Sequence, residues 1–299
     1  MELNKLLAKA TRNSGITVAV AAAEDEEVIE AIVEALDYKL ARFLLFGNQE
    51  RIKVLLSNKG IPVESSDIQI VSTTTKEEAA TAAVKAVRSG DANVLMKGNI
   101  PTSSLLKAVL NKEYGLRTGS VLSHVAVFEI PGYERLKIIT DAAMNIAPNL
   151  QEKVQILNNA VRVAHSIGIT IPKVAPIAAV EVVNPAMQAS LDAALLTQMN
   201  RRGQISNCIV DGPLALDNAV SVQAAEHKGI TSEVAGHADI LLVPTIEVGN
   251  ALYKSLVYFA NAEVGAVIAG ASAPIVLTSR ADSAKSKLYS LALAICSVT

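Results

Sequence analysis

Over its first hundred residues the chain alternates short apolar runs with longer segments of helical periodicity, and this restricts the fold more than any other feature. Residues 16–22 read as a Val/Ala-rich strand. Glu24, Asp25, Glu26 and Glu27 then open a helix to about residue 38, with acids in the first turn where the helix dipole favours them. A strand at 43–46 closes on Gly47-Asn48, and a helix at 50–59 stops at Gly60. A third strand at 68–71 precedes a helix at 76–88 that ends in Ser89-Gly90. A fourth strand at 94–96 leads to Pro101, placed for the first turn of another helix, where a missing N–H costs little. Repeated βα units imply a parallel sheet with right-handed crossovers. Such a sheet is buried on both faces and needs an apolar composition; 51% of the residues are hydrophobic.

The middle of the chain changes character. Residues 121–129 and 136–140 read as longer strands joined through Pro131-Gly132-Tyr133, a hairpin that makes the sheet mixed there. A helix at 150–167, a strand at 174–180, a helix at 187–201, strands at 208–211 and 240–243 and a helix at 250–260 follow. Residues 275–277 form a last short strand, which ends in Thr278-Ser279-Arg280 before a helical pattern from about residue 283. No repeat or linker breaks the 299 residues, a length that fits one large α/β unit or two continuous domains sharing a cleft.

Several functional classes are disfavoured. Aromatic residues make up 3%, Trp is absent and the net charge is −2, so a nucleic-acid partner lacks both stacking platforms and a basic surface. Cys208 and Cys296 lie in apolar stretches as buried thiols rather than a disulfide framework or a metal site. The first residues lack a signal-peptide layout, and apolar runs stay short of the roughly 18 residues of a membrane span. The expectation is a soluble, cytoplasmic protein. A Gly-x-Gly-x-x-Gly turn, a Gly-Lys-Ser/Thr phosphate loop and a Gly-x-Ser-x-Gly elbow are all missing. The four histidines, His124, His165, His227 and His237, form no ligand pairs.

Chemistry concentrates where strands hand over to helices, the position at which open α/β sheets bind ligands. At Thr278-Ser279-Arg280 two hydroxyls and a guanidinium meet a helix start, an arrangement suited to phosphate. At Lys97-Gly98-Asn99-Ile100-Pro101-Thr102-Ser103-Ser104 a lysine and three hydroxyls crowd another; a well-capped helix after a tight turn explains this equally well. At Glu247-Val248-Gly249-Asn250 the glycine would bring backbone and an amide to a strand end, with Lys254 one turn on, or the segment is an ordinary loop. Asp211, in Asp211-Gly212-Pro213, and Asp141 are strand-end aspartates that bind a ligand or cap backbone. His124 sits in an apolar strand and reads as a core histidine before a base.

Together these loops resemble the phosphate acetyl/butyryl transferase family. The resemblance rests on Lys97-Gly98-Asn99 with Thr102-Ser103, Thr140-Asp141-Ala142-Ala143-Met144-Asn145, and Asp211-Gly212-Pro213-Leu214 with Leu216-Asp217. It continues through Gly236-His237-Ala238-Asp239 to Pro244, Glu247-Val248-Gly249-Asn250 and Ser279-Arg280-Ala281-Asp282-Ser283. It implies two α/β domains of the isocitrate/isopropylmalate dehydrogenase type around a cleft, a largely parallel sheet in the first and a mixed sheet in the second. Residues 1–128 with 267–299 would form one and 129–266 the other. It further implies reversible acyl transfer between CoA and phosphate, most like the butanoyl branch, in a ternary complex. CoA is a co-substrate rather than a bound cofactor, no metal is implied, and dimers or assemblies of dimers are expected. Arg280 is expected on phosphate with Thr102, Ser103, Lys97 and Arg117; Ser279, Asn250, Lys254, Gly249 and Glu247 on CoA. Ser279, Arg280 and Asp282 would be catalytic, and His124, Asp141, Asn145 and Asp211 are further cleft candidates. One departure stands out: Ser286 occupies the place of the aspartate taken as base in acetyl-transferring relatives, which leaves Asp282, His124 and Asp141, in that order, for the role. The rivals are the acetyl-transferring branch of the same family, a metal-dependent hydroxy-acid dehydrogenase drawing on Asp211, Asp217 and Asp239, and a non-catalytic acyl-CoA binding module.

Overall fold

The computed structural model describes residues 2–13, 15–62, 65–277 and 283–298. The chain begins α1 (Leu3–Ala10), β1 (Thr17–Ala21), α2 (Glu26–Asp37), β2 (Arg42–Gly47), α3 (Gln49–Asn58), β3 (Ile68–Ser72), α4 (Lys76–Ser89), β4 (Val94–Lys97) and α5 (Thr102–Val109). It continues with β5 (Ser123–Glu129), β6 (Lys137–Thr140), α6 (Leu150–Ile167), β7 (Lys173–Pro176), α7 (Gln188–Arg201), β8 (Ile209–Val210), α8 (Leu216–Val220), α9 (Val222–His227), β9 (Ile240–Leu242) and α10 (Ile246–Tyr258). It ends with β10 (Glu263–Ala269), β11 (Ile275–Val276) and α11 (Ala284–Cys296). These elements divide into two compact units, residues 3–120 with 265–299, and residues 121–264 with Glu2.

In the first unit the strands lie in the order β3-β2-β1-β4-β11-β10. All pairings are parallel except β10 with β11. Val18, Ala19, Val20 and Ala21 of β1 are fully buried, as a central strand covered by helices on both faces requires. Side chains cap the helices that follow the first three strands. Asp25 accepts from Val28 N, Asn48 from Arg51 N and Thr75 from Glu78 N. Helix α11 closes the unit. Residues Lys287 to Cys296 are all buried, Tyr289 Oη donates to Asn4 Oδ1 (2.7 Å), and Lys287 Nζ reaches Glu27 (2.7 Å).

In the second unit β5 and β6 form an antiparallel hairpin, and β6, β9, β7 and β8 run parallel in that order. Asn149 and Glu152 make a capping box at the start of α6. Three expectations change. The strand expected at 174–180 ends at Pro176; beyond it the pairing shrinks to a single Ile177–Leu214 bridge, and the chain turns outward to exposed Val182 and Val183. The helix expected at 250–260 begins four residues earlier, at Ile246. Pro101 takes the position before α5 rather than its first turn. Helices α1, α8 and α9 and strand β10 had no counterpart in the sequence reading. Cys208 and Cys296 are buried and unpaired with each other.

Candidate active site

The β4–α5 junction is built on the backbone of β1. Gly98 N donates to Ala21 O (2.8 Å) and Asn99 N to Ala22 O (2.6 Å). A Cβ at position 98 would stand 2.1 Å from Ala22 O and 2.7 Å from Ala21 O, so only glycine passes here. Ile100 N donates back to Gly98 O (2.9 Å), and the turn delivers α5 with its first residue at Thr102. Unlike α2, α3 and α4, this helix has no side-chain cap, because Pro101 occupies the cap position. Among the described residues the N–H groups of Thr102 and Ser103 donate to nothing, and both side chains are exposed. Lys97 is buried at the end of β4, with Nζ 3.3 Å from Gly98 O. Free N–H groups, two hydroxyls and a dipole end form an arrangement chemically suited to an oxyanion.

Arg117 lies in the loop after α5 and is exposed. Leu116 N donates to Val109 O (2.8 Å), Ser272 N donates to Leu116 O (2.9 Å), and Thr118 Oγ1 donates to Gly270 O (2.5 Å). These bonds strap the loop to the segment leading into β11. Ser279, Arg280 and Asp282 lie outside the described residues. Ser286 stands in the first turn of α11, its N–H donating to the capping Ser283 Oγ (3.1 Å).

In the second unit the segment after β6 is organised by Asp141, which is 3% exposed. Its carboxylate accepts from Ala143 N (2.9 Å), Met144 N (2.9 Å), Asn145 N (3.2 Å) and Asn145 Nδ2 (2.5 Å). Asn145 Nδ2 also donates to Leu122 O (2.8 Å), and Thr140 Oγ1 donates to His124 O (2.9 Å). The start of α10 is pressed onto this turn. Val243 N donates to Thr140 O (2.8 Å) and Ile246 N to Ile146 O (2.9 Å). A Cβ on Gly249 would lie 2.5 Å from Asp141 O and 2.9 Å from Ala142 Cα. Gly249 therefore serves helix-to-loop packing from within α10, not the loop role expected of it. Its neighbour Asn250 reaches Ala142 O (3.4 Å) and is exposed, as is Lys254 one turn later. Glu247 is an exposed first-turn acid. Its own backbone N–H, then the Thr245 hydroxyl, hold its carboxyl below the usual range. His124 is buried beside Tyr253, ring centroids 5.9 Å apart, and Phe128 packs edge-on to Tyr253 from below (5.2 Å).

The aspartates of the dehydrogenase alternative do not converge. Asp211 follows β8 and faces Arg201 (3.6 Å), whereas Asp239 precedes β9, accepts from Lys173 N (3.0 Å) and pairs with Arg135 (3.4 Å). Since β8 and β9 run in the same direction, these residues sit at opposite strand ends. Asp217 pairs with Lys228 (3.4 Å). Among the described residues no group of three or more His, Cys, Asp or Glu is placed to hold a metal ion. A cavity of about 610 Å³ beside α2 and α3 holds none of the nominated residues, and its lining of Glu24, Asp25, Glu26, Glu27 and Glu50 repels phosphate. Tyr253 and Asn99 went unassigned in the sequence reading; Asn99 was visible in the Lys-Gly-Asn motif, whereas nothing in the spacing marks Tyr253.

Known proteins resemble this chain in sequence and fold. The family model described as phosphate acetyl/butaryl transferase matches residues 63–295. A probable phosphate butyryltransferase of Bacillus subtilis (strain 168) is 60% identical over 296 residues, covering 99% of this chain and 98% of its own. A phosphate butyryltransferase of Clostridium beijerinckii is 52% identical, covering 93% of this chain and 91% of its own. The crystal structure of a branched-chain phosphotransacylase from Enterococcus faecalis V583 superposes with a TM-score of 0.83 at 37% identity, covering 95% of this chain and 99% of that one. On these matches, and with its strand-end loops built as described, the chain belongs to the phosphate acetyl/butaryl transferase family.

Proposed function

We infer that the protein catalyses reversible acyl transfer between CoA and inorganic phosphate, with butanoyl-CoA and phosphate giving butanoyl phosphate and CoA. In a member of this family, the observation that carries the reading is the uncapped start of α5 beside Lys97. A phosphate oxygen attacks the thioester carbonyl directly, the C–S bond breaks, and the CoA sulfur leaves as thiolate and takes up a proton. The demand on the protein is positioning: holding phosphate in line with the carbonyl supplies up to roughly 7–11 kcal/mol of the barrier. Thr102, Ser103 and Lys97 hold phosphate oxygens, and Arg117 adds a second cation. Arg280 grips phosphate bidentately. Ser279 donates to the developing oxyanion or the sulfur. Asn250 and Lys254 contact CoA, and Gly249 and Glu247 set the start of the helix that carries them. Asp282 is the favoured proton acceptor toward the CoA thiol; Asp141 is spoken for by backbone donors.

The finer architecture follows the same reading: domains 1–128 with 267–299 and 129–266, of the isocitrate/isopropylmalate dehydrogenase type. We place the enzyme in the cytoplasm as a homodimer or an assembly of dimers, with no nucleic-acid or membrane partner. Support for self-association is α10, of which only Gly249 is buried and which ends in Tyr258 and Phe259, 69% and 87% exposed. The decisive measurement is phosphate-dependent release of free CoA thiol from acetyl-, butanoyl- and isobutanoyl-CoA. Wild-type turnover on the four-carbon substrates, reduced at least a hundredfold in Arg280→Ala, is expected. No release from any acyl-CoA would sink the transferase reading, and a preference for acetyl-CoA would move it to the acetyl branch.

A further inference from the structure

Helix α4 opens with a cation where its dipole favours an acid. Lys76 is the first helical residue, ahead of Glu77 and Glu78. The side chain is half-buried, and Nζ donates to Oδ1 of Asn99, 3.2 Å away and 23 residues along the chain. An ammonium only donates, so this bond dictates how the Asn99 amide faces: oxygen toward Lys76, both Nδ2 protons away from it. The Asn99 main chain is held as well, through its N–H on Ala22 O at 2.6 Å. Among the described residues Nδ2 donates to nothing. Three residues on, the same turn presents the free N–H groups of Thr102 and Ser103. A side-chain amide locked with its donors free, in a turn that ends in an uncapped helix start, is preorganised for an anion.

We propose that Asn99 is a direct ligand of the reacting phosphate through Nδ2, and that Lys76 is the positioning residue that presets its amide. The identity of the anion rests on the acyl-transfer reading; the donor geometry does not. A cation at the head of α4 is thereby explained, since Lys76 serves the neighbouring turn at its own helix's expense.

The test is calorimetric titration of the folded protein with inorganic phosphate, with thermal unfolding recorded alongside. Wild type binds phosphate; Asn99→Ala and Lys76→Met each weaken binding about tenfold, the loss expected for one hydrogen bond to a charged group. Because the two residues act as one device, the Lys76→Met/Asn99→Ala double variant binds no more weakly than Asn99→Ala alone. Asn99→Asp separates this role from a structural one. It adds a charge to the Lys76 contact, so the unfolding temperature holds or rises, yet it turns a carboxylate on the phosphate and abolishes binding. In turnover, KM for phosphate rises in both single variants while KM for butanoyl-CoA stays within about twofold, and Lys76→Arg restores phosphate affinity. The proposal is overturned by wild-type phosphate affinity in Asn99→Asp, by losses that multiply in the double variant, or by absence of phosphate binding to wild type. A wild-type protein that binds phosphate without releasing CoA supports the proposal and sinks only the acyl-transfer reading.

Discussion

Asp141 and Glu247 carry the same functional group and hold it differently. Glu247 is exposed on the first turn of α10, where hydrogen bonds from its own N–H and from Thr245 keep it charged without fixing the rest of the loop. Asp141 is buried and spends both oxygens on three consecutive backbone N–H groups and on Asn145, which ties the carboxylate to the turn. Its effect on activity therefore passes through the shape of the turn. Asp141→Asn keeps the size of the side chain but sets an NH₂ group against N–H donors, which exchanges attraction for repulsion in a buried site. We expect a loss of about 2–3 kcal/mol in urea unfolding together with reduced turnover, because α10 rests on this turn. An Asn variant that unfolds at the wild-type midpoint would return Asp141 to the list of proton acceptors.

At the scale of elements, α10 shows why helix boundaries and functional glycines are hard to read from a single chain. Gly249 was taken for a loop residue because glycine ordinarily interrupts helices. The structure keeps it helical and uses the missing Cβ for contact with Asp141 O and Ala142 Cα. Gly249→Ala gains about 1 kcal/mol in helix propensity but drives Cβ into backbone that has nowhere to move. The clash wins: destabilisation of about 1–3 kcal/mol by urea unfolding, and a raised KM for butanoyl-CoA as Asn250 and Lys254 shift. Asn149→Ala, at the capped start of α6, is the matched control, losing about 1 kcal/mol with unchanged KM. Equal effects on KM would show that any loss of helix stability reaches the CoA residues. The βα alternation of residues 16–97 was legible because short, mostly apolar runs alternate with longer segments of helical periodicity. β10 escaped because Glu263-Val-Gly-Ala-Val-Ile-Ala269 lacks clean alternation and carries a glycine, Gly265, inside the run. The junction loops were legible as ligand positions, since a parallel sheet leaves no other place for them. That Thr102 and Ser103 head an uncapped helix was not legible: the same two hydroxyls read equally well as caps, and only the position of Pro101 decides.

The whole molecule divides its two thiols evenly between its units. Cys208 belongs to residues 121–264 and Cys296 to the unit closed by α11. Burial pushes both thiols from the ordinary 9.0 up to about 11. The sign of the linkage follows. Well below pH 9 the thiols are protonated folded or unfolded and contribute no pH dependence. As pH rises from about 9 to 11 the unfolded chain ionises first, so stability falls across that window. At pH 8 neither thiol reacts with an aromatic disulfide reagent while the chain is folded, which also means that the reagent registers only CoA in the turnover assay. Each unit therefore carries its own buried thiol, whose exposure in urea can be followed separately. We expect each thiol to become reactive only as its own unit unfolds, read out with Cys208→Ala and Cys296→Ala to assign each signal. Reactivity of either thiol at a urea concentration that leaves the circular dichroism of the chain unchanged would show instead that local opening, not unfolding of its unit, exposes it.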